Sequence, residues 1–93
     1  NPFKDDTYFT FELRGYEEEN AENVQIKVFT VAGRLIKDFT VQASELQPGF
    51  NRVYWDGKDQ DGDLIANGLY FYKVIARLKG ETKSVTQKLA KIK

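Results

Sequence analysis

Apolar side chains recur at every second position along most of this chain, and no stretch carries the 3.6-residue stripe of a helix that buries one side. Period two places successive residues on opposite faces of a pleated strand, so each strand has one face to bury against another layer. Residues 7–13, TYFTFEL, set Phe9, Phe11 and Leu13 against Tyr8, Thr10 and Glu12. Residues 24–30, VQIKVFT, direct Val24, Ile26 and Val28 inward, and a third strand is expected over roughly 34–41. A short strand, NRVYW, turns Val53 and Trp55 to one side. The longest, LYFYKVIARL, lines up Tyr70, Tyr72, Val74, Ala76 and Leu78.

Turn chemistry separates these strands. Gly33 sits between two apolar-alternating runs where a tight hairpin needs positive φ. Gln47-Pro48-Gly49-Phe50 has the proline and glycine of a type II turn, Asn67-Gly68 gives another turn, and Lys79-Gly80-Glu81 leads into a last strand over roughly 82–92. That last strand is less regular, because Val85 and Leu89 share one parity and Ala90 and Ile92 the other, which predicts a bulge near Leu89. Residues 15–23, GYEEENAEN, hold three consecutive glutamates that cannot be buried unpaired, and they read as a mobile surface loop. Six or seven short strands without a helix imply two antiparallel sheets face to face: an all-β, immunoglobulin-like sandwich of about seven strands, with residues 1–93 as one domain.

The side chains that are missing narrow the chemistry. The chain has no histidine, which removes the usual acid/base group near neutral pH, and no cysteine to serve as nucleophile, thiolate ligand or disulfide. No apolar run reaches the roughly 20 residues that span a bilayer, so membrane insertion is not expected. The sequence opens on Asn1-Pro2-Phe3, already within strand patterning and without an initiator methionine, and reads as a domain cut from a longer precursor. Net charge is zero but unevenly spread: residues 1–72 hold seven Lys/Arg against thirteen Asp/Glu, a net of −6, and residues 73–93 hold seven Lys/Arg against Glu81, a net of +6. A basic terminal strand either meets an acidic partner or deters edge-to-edge aggregation.

The loop WDGKDQDGDLIANG, residues 55–68, concentrates the acidic residues. Asp59, Asp61 and Asp63 stand at alternate positions, and clustered carboxylate oxygens suit a calcium ion. The EF-hand register fails, however. With Gly62 as the sixth-position glycine, the first ligand position falls on Gly57 and the twelfth, which requires a bidentate carboxylate, on Gly68. A looser calcium site remains open. Aspartate and glycine are also the residues that let a chain bend, Asp by accepting backbone N–H bonds and Gly by reaching left-handed conformations, and this turn-forming role is the preferred reading. Trp55 beside the acids could stack on a sugar ring together with Tyr54, but its alternation with Val53 marks it as a core anchor. Exposed aromatics such as Tyr54 and Phe71 read as scattered, with Phe71 and Ile75 on a face that could meet a neighbouring domain.

Once these pieces are in order, the sequence resembles the flagellar-hook-cap-type (FlgD-like) immunoglobulin-like domain and is similar to the C-terminal sorting domains of the type IX secretion system. The likeness runs through Asn1-Pro2-Phe3 with Thr7, Phe9, Phe11 and Leu13, then Ile26 and Val28 ahead of Gly33-Arg34. It continues through Leu46, Gly49, Asn51, Val53, Trp55, Asp56, Gly57, Asp59 and Gly62 to Gly68, Tyr70 and Tyr72, and ends at Lys88-Leu89 and Ile92-Lys93. Lys4-Asp5-Asp6 and the long acidic 15–23 loop depart from the pattern without touching the strands. The resemblance implies a non-catalytic C-terminal module of a larger exported protein, such as a peptidase or other hydrolase, with no cofactor and no nucleic-acid partner. Such a module would pass through periplasm and outer membrane to the cell surface. Its partner would be the secretion machinery, met by Lys83, Lys88, Lys91 and Lys93 on the last strand, or else an upstream domain of the same polypeptide braced by a spacer module. Carbohydrate binding through Trp55 and Tyr54 is the third reading.

Overall fold

In the computed structural model, which describes residues 2–3, 6–13, 21–47, 49–78 and 80–92, the alternating segments form two facing sheets. The strands are β1 (Pro2–Phe3), β2 (Thr7–Leu13), β3 (Ala21–Thr30), β4 (Leu35–Gln42), β5 (Gly49–Trp55), β6 (Gly68–Leu78) and β7 (Glu81–Lys91). Five strands make one sheet in the order β1-β7-β6-β3-β4, and β2 pairs with β5 in the other. Pairing is antiparallel except where β1 runs parallel to the end of β7, with Pro2 opposite Ala90 and Phe3 opposite Lys91.

The core lies where the inward parities of the two sheets meet. Phe9 and Phe11 from β2, with Trp55 from β5, pack on Val24, Ile26 and Val28 of β3 and on Tyr70, Tyr72, Val74 and Ala76 of β6. Phe9 is the centre of this packing: its ring stands 5.4 Å from Trp55 in a stacked pose, 4.8 Å from Tyr72 and 5.7 Å from Phe39. Ring pairs at these separations add to the burial of their area. The inward parity expected for β2, β3, β5 and β6 is thus the parity observed; Leu13 and Leu78 lie outside what is described of side chains.

Local chemistry closes the hairpins. Gly33 takes φ +94° between β3 and β4, where the Gly33 amide donates to Thr30 O and the Thr30 amide to Arg34 O. Gly49 and Gly80, at φ +84° and +85°, end the turns before β5 and β7; Pro48 lies outside the described residues. Below β5 the buried Asn51 holds the corner. Its Nδ2 donates to Gln47 O and Gly49 O, and its Oδ1 accepts from the Gln47 amide. A buried amide that exchanges bonds with backbone on both sides replaces the ladder that a turn lacks.

Two expectations change. Residues 21–23, assigned to the acidic loop, are paired in β3, with Asn23 opposite Gln42 and Arg77; residues 15–20 of that loop lie outside the described residues. The bulge near Leu89 is absent, because pairing between β6 and β7 runs without a shift from Gly68–Lys91 to Leu78–Glu81. The parity conflict disappears for another reason: Leu89 is the inward apolar residue, Ala90 and Ile92 keep the outward parity with Ile92 52% exposed, and residues 81–88, Val85 among them, are exposed on both faces. The ladder irregularities lie instead in β3: against β4 between Val28 and Phe29, where Ile36 is the extra residue that turns inward, and against β6 between Ala21 and Asn23.

Candidate functional site

Three surfaces carry the residues singled out from the sequence. The first is the acidic loop between β5 and β6. Asp59 Oδ1 accepts from the amides of Asp61 and Asp63 at 2.9 and 3.0 Å, and Asp56 Oδ1 accepts from the Lys58 amide at 3.1 Å. Backbone bonds from Asp59 to Asp63 O and from Ile65 to Gly57 O, with Lys58 bridged to Leu64, fold the loop into a small closed hairpin whose Gly57 and Gly62 have positive φ. The Gln60 amide ties it to Ile36 O of β4. One oxygen of Asp59 therefore faces into the turn, while Asp61 and Asp63 stand in solvent. Among the described residues, no group of three or more metal-ligating side chains is placed to hold an ion. Trp55, 1% exposed, lies beneath the loop and donates from Nε1 to Lys58 O at 2.9 Å. Its indole is closed to a sugar, which removes the main residue of the carbohydrate reading. The end of the loop carries Gly68 at φ +150° into β6, and Tyr70 reaches back to donate to Ala66 O at 2.6 Å.

The second surface is the outer face of the two-stranded sheet. Tyr54, expected to be one of several scattered aromatics, has a partner here, because the β2–β5 register sets Tyr8 opposite it. Their rings are 5.6 Å apart, edge to face, and the Arg52 guanidinium lies 4.2 Å from the centre of the Tyr8 ring. The Tyr54 hydroxyl donates to Asp6 Oδ2, and that bond, ahead of burial, raises its pKa above the usual phenol value. Phe50 stands exposed further along β5. The signal for this cluster was present as the outward parity of both strands, but only the pairing register joins residues so distant in sequence.

The third surface is β7. Lys83 and Lys88 are exposed, with Lys83 3.8 Å from Glu81. Lys91 departs from the expectation that it lies on a presented edge: it shares the inward parity of Leu89 and is only 8% exposed, opposite Gly68 in the ladder. Lys93 lies outside the described residues. Among the described residues the outer edge of β7 is paired only at Ala90 and Lys91, by β1, so the edge from Glu81 to Leu89 is open.

Comparison with known proteins gives a consistent fold. The sequence model of the FlgD Ig-like domain matches residues 2–80. The basal-body rod modification protein FlgD of Salmonella typhimurium is 32% identical over 72 residues, 77% of this chain and 30% of that protein. C5a peptidase of Streptococcus pyogenes is 56% identical over a shorter stretch of 25 residues, 2% of its length. Among solved structures, dimeric latent PorU from Porphyromonas gingivalis superposes with a TM-score of 0.77 at 20% identity, covering 99% of this chain and 8% of that one. FlgD from Pseudomonas aeruginosa gives 0.73 at 21%, covering 92% and 61%. The chain thus spans less than a third of the curated relatives it matches.

Proposed function

Because the chain belongs to the FlgD Ig-like domain family, we propose that it is a non-catalytic module that sorts or anchors a larger exported protein, directing it through the type IX secretion system to the cell surface. The observation that carries this reading is the open edge of β7, exposed on both faces over residues 81–88 and carrying Lys83 and Lys88. An unpaired strand edge offers a row of backbone donors and acceptors to which a partner adds a strand, with flanking side chains selecting the partner. The motifs shared with type IX sorting domains, and a fold held in common with a segment of PorU, support the same assignment.

The test is a reporter fused ahead of residues 1–93, behind a signal peptide, in a bacterium that has the secretion system. Surface display of the reporter is expected, and a reporter retained in the periplasm refutes sorting. In the same assay the Lys83→Glu/Lys88→Glu variant, altered only at exposed positions, is expected to lower export while its melting temperature holds. Unchanged export in that variant removes β7 as the recognised element.

A second reading is a spacer that braces an adjoining domain. The half-buried Phe71 and Ile75 on the outer face of β6 favour it, since side chains of that kind cover a neighbour's surface. Here display would be indifferent to both lysines, and separating the module from its neighbour would lower the neighbour's stability.

A further inference from the structure

The outer face of the five-stranded sheet carries an electrostatic conflict that the fold does not resolve by itself. Lys27 of β3 lies directly opposite Lys73 of β6, and Lys88 of β7, opposite Phe71, sits diagonally from Lys73. Directly opposed residues on one face stand about 5 Å apart at Cβ, and like charges there are destabilising. Asp38 faces Lys27 from β4 and is the one carboxylate described on this face; Gln25 Nε2 donates to both of its oxygens, at 2.9 and 3.1 Å. Among the described residues Lys73 and Lys88 have no carboxylate in ion-pair contact. At the far end of the same ladder, Arg77 Nη2 donates to Gln25 Oε1, while Arg77 Nη1 is buried and has no hydrogen-bond partner. Among the described residues, Lys27, Lys73, Lys88 and Arg77 outnumber the one carboxylate on this face, Asp38, and describe a face complementary to negative charge.

We propose that this face binds an acidic polypeptide segment in extended conformation, lying along β6. The argument is one of period. Outward residues of β6 alternate as Leu69, Phe71, Lys73, Ile75 and Arg77, about 6.7 Å apart along the strand. A second extended chain repeats its same-side side chains at that interval, so acidic residues four apart reach Lys73 and Arg77 while an apolar residue between them covers Ile75. A phosphodiester chain is charged at every step and would set charge over Phe71 and Ile75 as well. The proposal concerns a sheet face rather than the β7 edge, and it stands whether or not the module is a sorting signal.

Fluorescence anisotropy of a labelled synthetic peptide repeating Glu-Ser-Leu-Ser, titrated with the intact chain, tests it. Peptides repeating Gln-Ser-Leu-Ser and Lys-Ser-Leu-Ser, and a labelled oligothymidylate, serve as comparisons. The glutamate peptide is expected to bind and to weaken as salt rises, with the other probes at least about tenfold weaker. Lys73→Glu is expected to lower glutamate-peptide binding by about tenfold or more without lowering the melting temperature, because it replaces the opposed pair with one of opposite sign to Lys27. A residue that only supported the fold would lose stability instead. Equal binding of the glutamine peptide, tighter binding of the oligothymidylate, or binding unaffected by Lys73→Glu would each overturn the proposal.

Discussion

Trp55 does two jobs with one side chain. Its ring stacks on Phe9 from the same sheet and is covered from the other, and its Nε1–H satisfies the carbonyl of Lys58 in the loop above. Trp55→Ala therefore removes both core volume and a loop tie, and is expected to cost about 3–5 kcal/mol in urea unfolding. Trp55→Phe keeps most of the packing and leaves Lys58 O without its donor, for a loss of about 1–2 kcal/mol. The core tyrosines give a pH signature. Burial raises the phenol pKa of Tyr70 and of Tyr72 above 10.0, because it disfavours the phenolate. The unfolded chain then releases these protons first, so the contribution is complete below about pH 10 and is lost as pH rises past it. Urea midpoints should fall above that point, and a Tyr70→Phe/Tyr72→Phe variant should show a shallower alkaline fall. These roles were half legible in the sequence. Parity marked Trp55 and both tyrosines as inward, but the carbonyls that Trp55 and Tyr70 bond, Lys58 and Ala66, sit in a loop whose path no alternation describes.

Among the described strands, β3 is flanked on both sides, by β4 and β6, whereas among the described residues β2 and β5 have one neighbour each and β7 is open along most of one edge. Amides that are paired and covered from both sides open only with the global transition. Hydrogen exchange should therefore be slowest in β3 and β6, and faster in alternate amides of β7 over residues 81–88. Uniform protection along β7 in the isolated chain would show its edge to be covered. The same element shows where sequence reading failed. A parity conflict between Val85 with Leu89 and Ala90 with Ile92 implied a bulge only on the assumption that every apolar residue of the strand is turned inward. The opposing sheet has two strands and does not reach the first eight residues of β7, so the alternation there had nothing to match. Lys91 was misplaced by the converse error, since a charged residue in a basic run reads as solvated although its parity with Leu89 sends it inward.

For the molecule as a whole, the two sheets share one core but, among the described residues, no ladder hydrogen bonds, so side-chain packing through Phe9, Trp55, Ile26 and Tyr72 joins them. Neither sheet keeps a buried face if the other leaves. Unfolding followed by Trp55 fluorescence and by far-ultraviolet circular dichroism should therefore coincide in one transition; a fluorescence change that precedes loss of strand signal would mean that the β2–β5 pair detaches on its own. The sequence by itself determined the strands, their inward faces and their turns, because period-two alternation, positive-φ glycines and self-bonding aspartates act over a few residues. Only the tertiary structure decided which faces are covered, and so which residues stand together: Tyr8 with Tyr54 and Arg52, Lys27 against Lys73, Lys91 opposite Gly68. Those pairings depend on register between strands far apart in the chain, and register is fixed by the packing of the shared core rather than by any local preference.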